Sequence, residues 1–143
     1  MSLIIDGGTV VTMSRKGIIR DGAVVVENGC IVDAGKSAEL KRKHSGYEKI
    51  DACGKVVVPG FINTHQHAAM SLLRGYADDY PLNEWLENWI WPMEKQMGGH
   101  DIYVGALLTA VESVLGGTTT VNTMYHYTDK ENEAKALAES GLR

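Results

Sequence analysis

Two histidines, His65 and His67, stand two residues apart in Pro59-Gly60-Phe61-Ile62-Asn63-Thr64-His65-Gln66-His67. No other stretch pairs residue types so suited to holding a metal ion. Side chains of extended backbone alternate between faces, so His65, His67 and Asn63 are expected on one side and Ile62 and Thr64 on the other. Imidazoles about 6–7 Å apart along one strand face can close on a single cation with little backbone adjustment. Two nitrogens are not a complete site, because catalytic zinc takes three protein ligands and a water. The spacing therefore predicts part of a metal centre whose other ligands come from elsewhere. His126 follows a second predicted strand, where it can reach a pocket at the strand ends or serve simply as a loop residue. His44 and His100 read as surface residues. Glu94, two residues after Pro92, reads by position alone as an exposed helix-end glutamate.

The elements that must position this pair change character at residue 58. Before it the chain is rich in strands. Leu3-Ile4-Ile5 and Val10-Val11-Thr12 flank the turn signal Asp6-Gly7-Gly8. Ala23–Val26 and Cys30–Val32 flank Glu27-Asn28-Gly29, the best hairpin signal in the chain. A polar segment, Ser37 to Tyr47, carries Lys41-Arg42-Lys43, which with Glu39 and Glu48 beside it reads as a solvated face. Ile50–Ala52 and Val56–Val58 add further strands, and this density suggests a small β-sandwich or part of one.

After His67 the pattern turns helical. Ala68–Arg74 is a short helical turn stopped by Gly75. Leu82, Trp85, Leu86, Trp89 and Ile90 fall on one helical stripe, which Pro92 is expected to end or kink. The three tryptophans Trp85, Trp89 and Trp91 read as core, with one of them free to line a pocket. Asp101 is placed to cap a long apolar helix running from Ile102 to Leu115 and stopped by Gly116-Gly117. Thr118 to Tyr125 reads as a strand, and Thr128 and Glu131 have the spacing of a capping box opening a last helix through Ala134 and Leu137. Strand, helices, strand, helix in that order predicts a parallel α/β arrangement with right-handed crossovers. In (β/α)8 barrels, catalytic groups sit at the C-terminal ends of the strands, and that is where His65 and His67 fall.

Composition narrows the function classes. The 143 residues carry a formal net charge of −4, which argues against a nucleic-acid partner. Hydrophobic residues make up 44% of the chain, but no apolar run is long enough to span a membrane. The N-terminus lacks the pattern of a signal peptide, so the expected location is cytoplasmic. Cys30 and Cys53 form no CxxC pair and read as buried reduced thiols, with one disulfide as the alternative. HExxH, Walker, GxGxxG and Gly-x-Ser-x-Gly motifs are absent, as is the His-x-Glu and Pro-Cys-x-x-Cys signature of cytidine deaminases.

Taken together, Val57-Val58-Pro59-Gly60-Phe61-Ile62-Asn63-Thr64-His65-Gln66-His67 resembles the first-strand signature of the amidohydrolase superfamily. The continuation Ala68-Ala69-Met70-Ser71-Leu72-Leu73-Arg74-Gly75-Tyr76-Ala77-Asp78-Asp79, with Pro81-Leu82, Trp85-Leu86 and Ile90-Trp91-Pro92-x-Glu94, resembles the 5-methylthioadenosine/S-adenosylhomocysteine deaminases. Gly116-Gly117-Thr118-Thr119-Thr120 with Met124-Tyr125 resembles the second strand of that group, although Thr123 stands where many of its members carry aspartate.

The resemblance implies an α/β fold: the start of a metal-dependent (β/α)8 TIM barrel, preceded by the N-terminal half of a small β-sandwich. Residues 1–57 would form the sandwich part and 58–143 the first two βα units. His65 and His67 match metal ligands, for one divalent ion with zinc favoured, and Glu94 matches the glutamate that holds the ribose hydroxyls of a nucleoside substrate. The remaining ligands and the catalytic acid–base residue belong to later strands, so no catalytic residue is expected within this chain, which would be inactive by itself. A barrel edge left open after residue 143 calls for a further C-terminal segment or a second copy of the chain. The expected reaction is hydrolytic deamination of an adenosine-type nucleoside. The rivals are another amidohydrolase, such as a guanine deaminase or triazine chlorohydrolase, and a truncated non-catalytic binding or assembly subunit.

Overall fold

The computed structural model describes residues 1–124 and 129–143, which divide into two compact units, Met1–Pro59 and Gly60–Arg143. The first unit is a mixed five-stranded sheet in the order β3-β2-β1-β4, with β5 also paired to β1. Its strands are β1 (Ser2–Val11), β2 (Ile18–Glu27), β3 (Cys30–Lys36), β4 (Glu48–Asp51) and β5 (Val56–Val57). β1–β2 and β2–β3 pair antiparallel, and β1 pairs in parallel with β4 and β5. Helix α1 (Ser37–Lys43) covers the sheet, and Ile4, Ala23, Val25 and Leu40 form the buried core with Tyr47 against it.

The expected hairpin forms. Glu27 pairs with Cys30 across a two-residue loop in which Asn28 and Gly29 take φ of 51° and 80°. A loop with both φ positive matches the right-handed twist of the strands, and Asn-Gly tolerates it best. Asp6-Gly7-Gly8 is not a turn: β1 runs straight through it. The pairing shifts between Asp6 and Gly8, and Gly7 takes φ 81°. A glycine in this conformation makes a bulge, which bends a strand without ending it. A Cβ on Gly7 would lie 2.7 Å from Cys53 Sγ, so the bulge also makes room for that thiol.

The cysteines correct a second expectation. Cys30 and Cys53 are exposed and free. Cys30 opens β3 at the hairpin tip and Cys53 sits in the turn after β4, so neither position faces the core. The Cys53 thiol is pushed up by its hydrogen bond to Asp51, which makes it a poor nucleophile.

In the second unit, β6 (Phe61–Gln66) pairs in parallel with β7 (Thr118–Thr123). A 3-10 helix, Ala68–Leu73, follows β6. Next come α2 (Leu82–Trp85), a π-turn (Leu86–Ile90) and α3 (Trp91–Glu94), which continue one another through Pro92. Proline is tolerated because it falls in the first turn after the wider π-turn, where a backbone donor is least needed. Of the apolar stripe, Ile90 is fully buried while Leu82 is exposed.

α4 (Gly99–Leu115) and α5 (Lys130–Glu139) complete the unit. Asp101 is the third residue of α4 rather than its cap, and its carboxylate accepts the Gly98 N–H at 2.9 Å. Ala68, Ala106, Ala110, Ala136, Leu137 and Leu142 form the core, and Ala69 of the 3-10 helix packs with Ile102 of α4 in a smaller cluster. Small residues let α4 approach closely: a Cβ on Gly105 would lie 2.5 Å from the Ala69 carbonyl oxygen. Thr128 and His126 lie outside the described residues. Among the described residues no helix is long and apolar enough to cross a membrane.

Candidate metal centre

β6 ends at Gln66, and His67 begins the 3-10 helix with φ −123° and ψ 84°. The β6–β7 ladder shifts between Asn63↔Val121 and Gln66↔Thr123, three residues on one strand against two on the other. This irregularity breaks strict alternation just where the histidines lie. Their rings nevertheless converge, with centroids 5.1 Å apart and planes at 78°. His65 is exposed and His67 half-buried. Asn63 does not simply share their face. Its Nδ2 donates to Gln66 Oε1 at 2.9 Å and its Oδ1 accepts the His65 N–H at 3.2 Å.

With the ladder interrupted, side chains and backbone of neighbouring elements hold the backbone around the pair. Asn122 Nδ2 donates to the Thr64 carbonyl at 3.2 Å and Thr109 Oγ1 to the Ala68 carbonyl at 2.7 Å. The Met124 N–H reaches the Gln66 carbonyl at 3.0 Å, and the Met70 N–H reaches the His67 carbonyl at 3.1 Å. The partners of Thr64, Gln66 and Ala68 come from β7, its C-terminal end and α4, the elements the barrel-like order brings against β6.

The donor set fits a divalent cation in part. His67 Nδ1 is buried and finds no hydrogen-bond partner among the described residues, although a buried ring nitrogen is costly to leave unpaired. Two neighbouring imidazoles suit zinc and similar ions. No third histidine, cysteine, aspartate or glutamate joins them among the described residues. His44 instead packs its ring 4.9 Å from that of Tyr47, and His100 is exposed in the first turn of α4.

Glu94 is 3% exposed at the end of α3. The position-based reading of an exposed helix end is thereby overturned: Glu94 closes α3 but is buried. Sequence reasoning missed a further group. A cleft of about 640 Å³ is lined by His67 together with Arg74, Asp78, Trp85, Thr109 and Glu112. His65 and Glu94 do not line it. Arg74 and Glu112 form a two-pronged pair at 2.8 and 2.6 Å, a geometry specific to guanidinium and carboxylate. The Arg74 guanidinium holds the Glu112 carboxyl below its ordinary value. The partners are 38 residues apart, and no local pattern announces them.

A parallel strand–helix order with paired histidines at a strand's C-terminal end defines a class, and the chain belongs to the amidohydrolase family, whose pattern matches residues 56–142. Over 142 residues it is 48% identical to the 5′-deoxyadenosine deaminase of Methanosarcina mazei, covering 99% of this chain and 32% of that protein. It is 46% identical, with the same coverage, to the 5-methylthioadenosine/S-adenosylhomocysteine deaminase of Symbiobacterium thermophilum. Among solved structures, an adenosine deaminase from Xanthomonas campestris with bound zinc superposes with a TM-score of 0.82 at 34% identity, covering 99% of this chain and 32% of that one. The chain thus spans about a third of the length of the relatives it matches.

Proposed function

We propose that this chain is the N-terminal part of a metal-dependent hydrolytic deaminase, converting 5′-modified adenosines of the 5-methylthioadenosine/S-adenosylhomocysteine type to the inosine form with release of ammonia. Residues 1–57 are the N-terminal part of a β-sandwich, and 58–143 are the first two βα units of a (β/α)8 barrel. The convergence of the His65 and His67 rings at the end of β6, 5.1 Å apart, carries the reading, together with relatives named for this chemistry.

In this reading His65 and His67 would hold one divalent ion, zinc by preference, through their imidazoles. When bound, the ion would supply a water of lowered pKa for the hydrolytic replacement of the purine C6 amino group, released as ammonia. Glu94 takes the ribose hydroxyls as hydrogen-bond donors, fixing the ring's register against the histidines. The groups that move protons belong to chain beyond residue 143.

The test compares the 143-residue chain with the same chain joined to its in-frame downstream coding sequence. Both are assayed with zinc for loss of adenine absorbance and ammonia release from 5′-deoxyadenosine, methylthioadenosine and S-adenosylhomocysteine. The longer protein turns these substrates over and the short chain does not. Robust turnover by the short chain, or none by the longer protein, rejects the reading. Glu94→Gln raises KM for nucleosides, whereas for a guanine deaminase or triazine hydrolase activity on the true substrate persists.

A further inference from the structure

Glu133 is 3% exposed, in the first turns of α5. A carboxyl group in an apolar setting is costly unless it is hydrogen-bonded, and here the Thr123 hydroxyl donates to it. Thr123 Oγ1 also lies 3.4 Å from the Ala68 nitrogen and 3.4 Å from the Gln66 carbonyl oxygen. Ala68 and Gln66 are the two neighbours of His67 in the chain. Thr123 is thus a single hydroxyl touching the backbone on both sides of one candidate ligand, at the point where the β6–β7 ladder has slipped.

A hydroxyl has one hydrogen to give. If it points at the Gln66 carbonyl, it adds only a long second bond, at 3.4 Å, to an oxygen that already accepts the Met124 N–H at 3.0 Å. If it points at Glu133, the hydroxyl oxygen still accepts the Ala68 N–H and links that backbone to the carboxylate. A hydrogen bond to a carboxylate is stronger than one to a carbonyl, so Glu133 selects the second arrangement. We infer that Glu133 is a positioning residue for the His67 imidazole, acting through the Thr123 hydroxyl, which fixes the backbone on which that ring is mounted. The inference rests on the reading of His65 and His67 as metal ligands.

The experiment uses the full-length protein that carries this chain, with Zn2+ affinity from chelator competition and the visible absorption of the Co2+-loaded form as readouts. Thr123→Val keeps the side-chain volume and removes the hydroxyl; its Zn2+ affinity falls about 10- to 100-fold, the usual effect of losing an outer-shell partner, and the Co2+ spectrum shifts. Glu133→Leu has a similar effect, and Thr123→Ser restores wild-type behaviour. The double variant Thr123→Val/Glu133→Leu loses no more than either single one, because both cut the same chain of hydrogen bonds. Unchanged Zn2+ affinity and Co2+ spectrum in Thr123→Val, with or without a lower Tm, overturns the inference. So does a double variant whose losses multiply, since Glu133 would then act by another route. If the wild-type protein binds neither ion, or if His67→Ala binds both as well as wild type, the metal reading itself fails and takes the inference with it. Tight wild-type binding beside unaffected Thr123→Val removes the positioning role alone.

Discussion

At the scale of single residues, the proposed chemistry rests on the ring nitrogens of His65 and His67 and the carboxylate of Glu94. In the proposed reading His65 and His67 supply two of the three protein ligands that a catalytic zinc takes beside its water. Replacing either histidine by alanine in the full-length protein therefore abolishes stoichiometric zinc, measured by metal analysis after dialysis; full zinc content in both variants would refute their role. Asp6 provides a test in the other unit. Burial pushes its carboxyl up, but hydrogen bonds from Ser37 and Lys41 and the charge of Lys41 outweigh this, and its pKa lies below the ordinary 3.8. A carboxyl with a lower pKa folded than unfolded favours the folded chain above the ordinary value, and that contribution is lost as pH falls through the folded value. Urea denaturation thus gives a midpoint that drops below pH 3.8 in the wild type, and drops less in Asp6→Asn.

At the scale of elements, the position of the site depends on how closely α4 can approach the 3-10 helix that follows His67. Gly105 sits at that crossing, where a Cβ would lie 2.5 Å from backbone oxygen and 3.0 Å from Leu72. Backbone cannot move aside as a flexible side chain can. Gly105→Ala accordingly destabilises the second unit by about 1–3 kcal/mol, the usual cost of overpacking, despite alanine's better helix propensity. Thermal melts with a probe in this unit check it, and an unchanged or raised Tm would show that the helices can separate freely. Ser71 Oγ donates to the Gly105 carbonyl at 2.7 Å in the same crossing, so the loss is expected to extend to the backbone beside His67.

At the scale of the whole molecule, large apolar side chains remain exposed: Phe61 at 57%, Ile62 at 67% and Leu115 at 83%. Val104, Leu108 and Val111 continue an exposed stripe along α4. Contiguous apolar surface of this kind drives association, and a two-stranded sheet leaves open edges. The 143-residue chain by itself therefore binds a hydrophobic dye and sediments as concentration-dependent species. A monodisperse monomer at every concentration would contradict this. Leu108→Lys with Val111→Glu reduces the association, because charge interrupts the stripe without touching the buried face of α4.

The sequence by itself determined what depends on neighbours in the chain. The Asn28-Gly29 hairpin, the helix containing Trp85 and Trp89, the long helix ending at Gly116-Gly117 and the His65–His67 spacing are all short-range patterns. Turn geometry and periodicity are set within a few residues. Tertiary structure decided the rest. It made Asp6-Gly7-Gly8 a bulge because β2 pairs on both sides of it, and it exposed both cysteines. It buried Glu94, and it tied the backbone after His67, at Ala68, to the hydroxyls of Thr109 and Thr123, partners that lie 41 and 55 residues away. Contacts at such separations form only when elements pack, and no local preference specifies which side chain will arrive. The spacing of the two histidines was legible in the chain; the distant contacts that hold the backbone beside His67 were not.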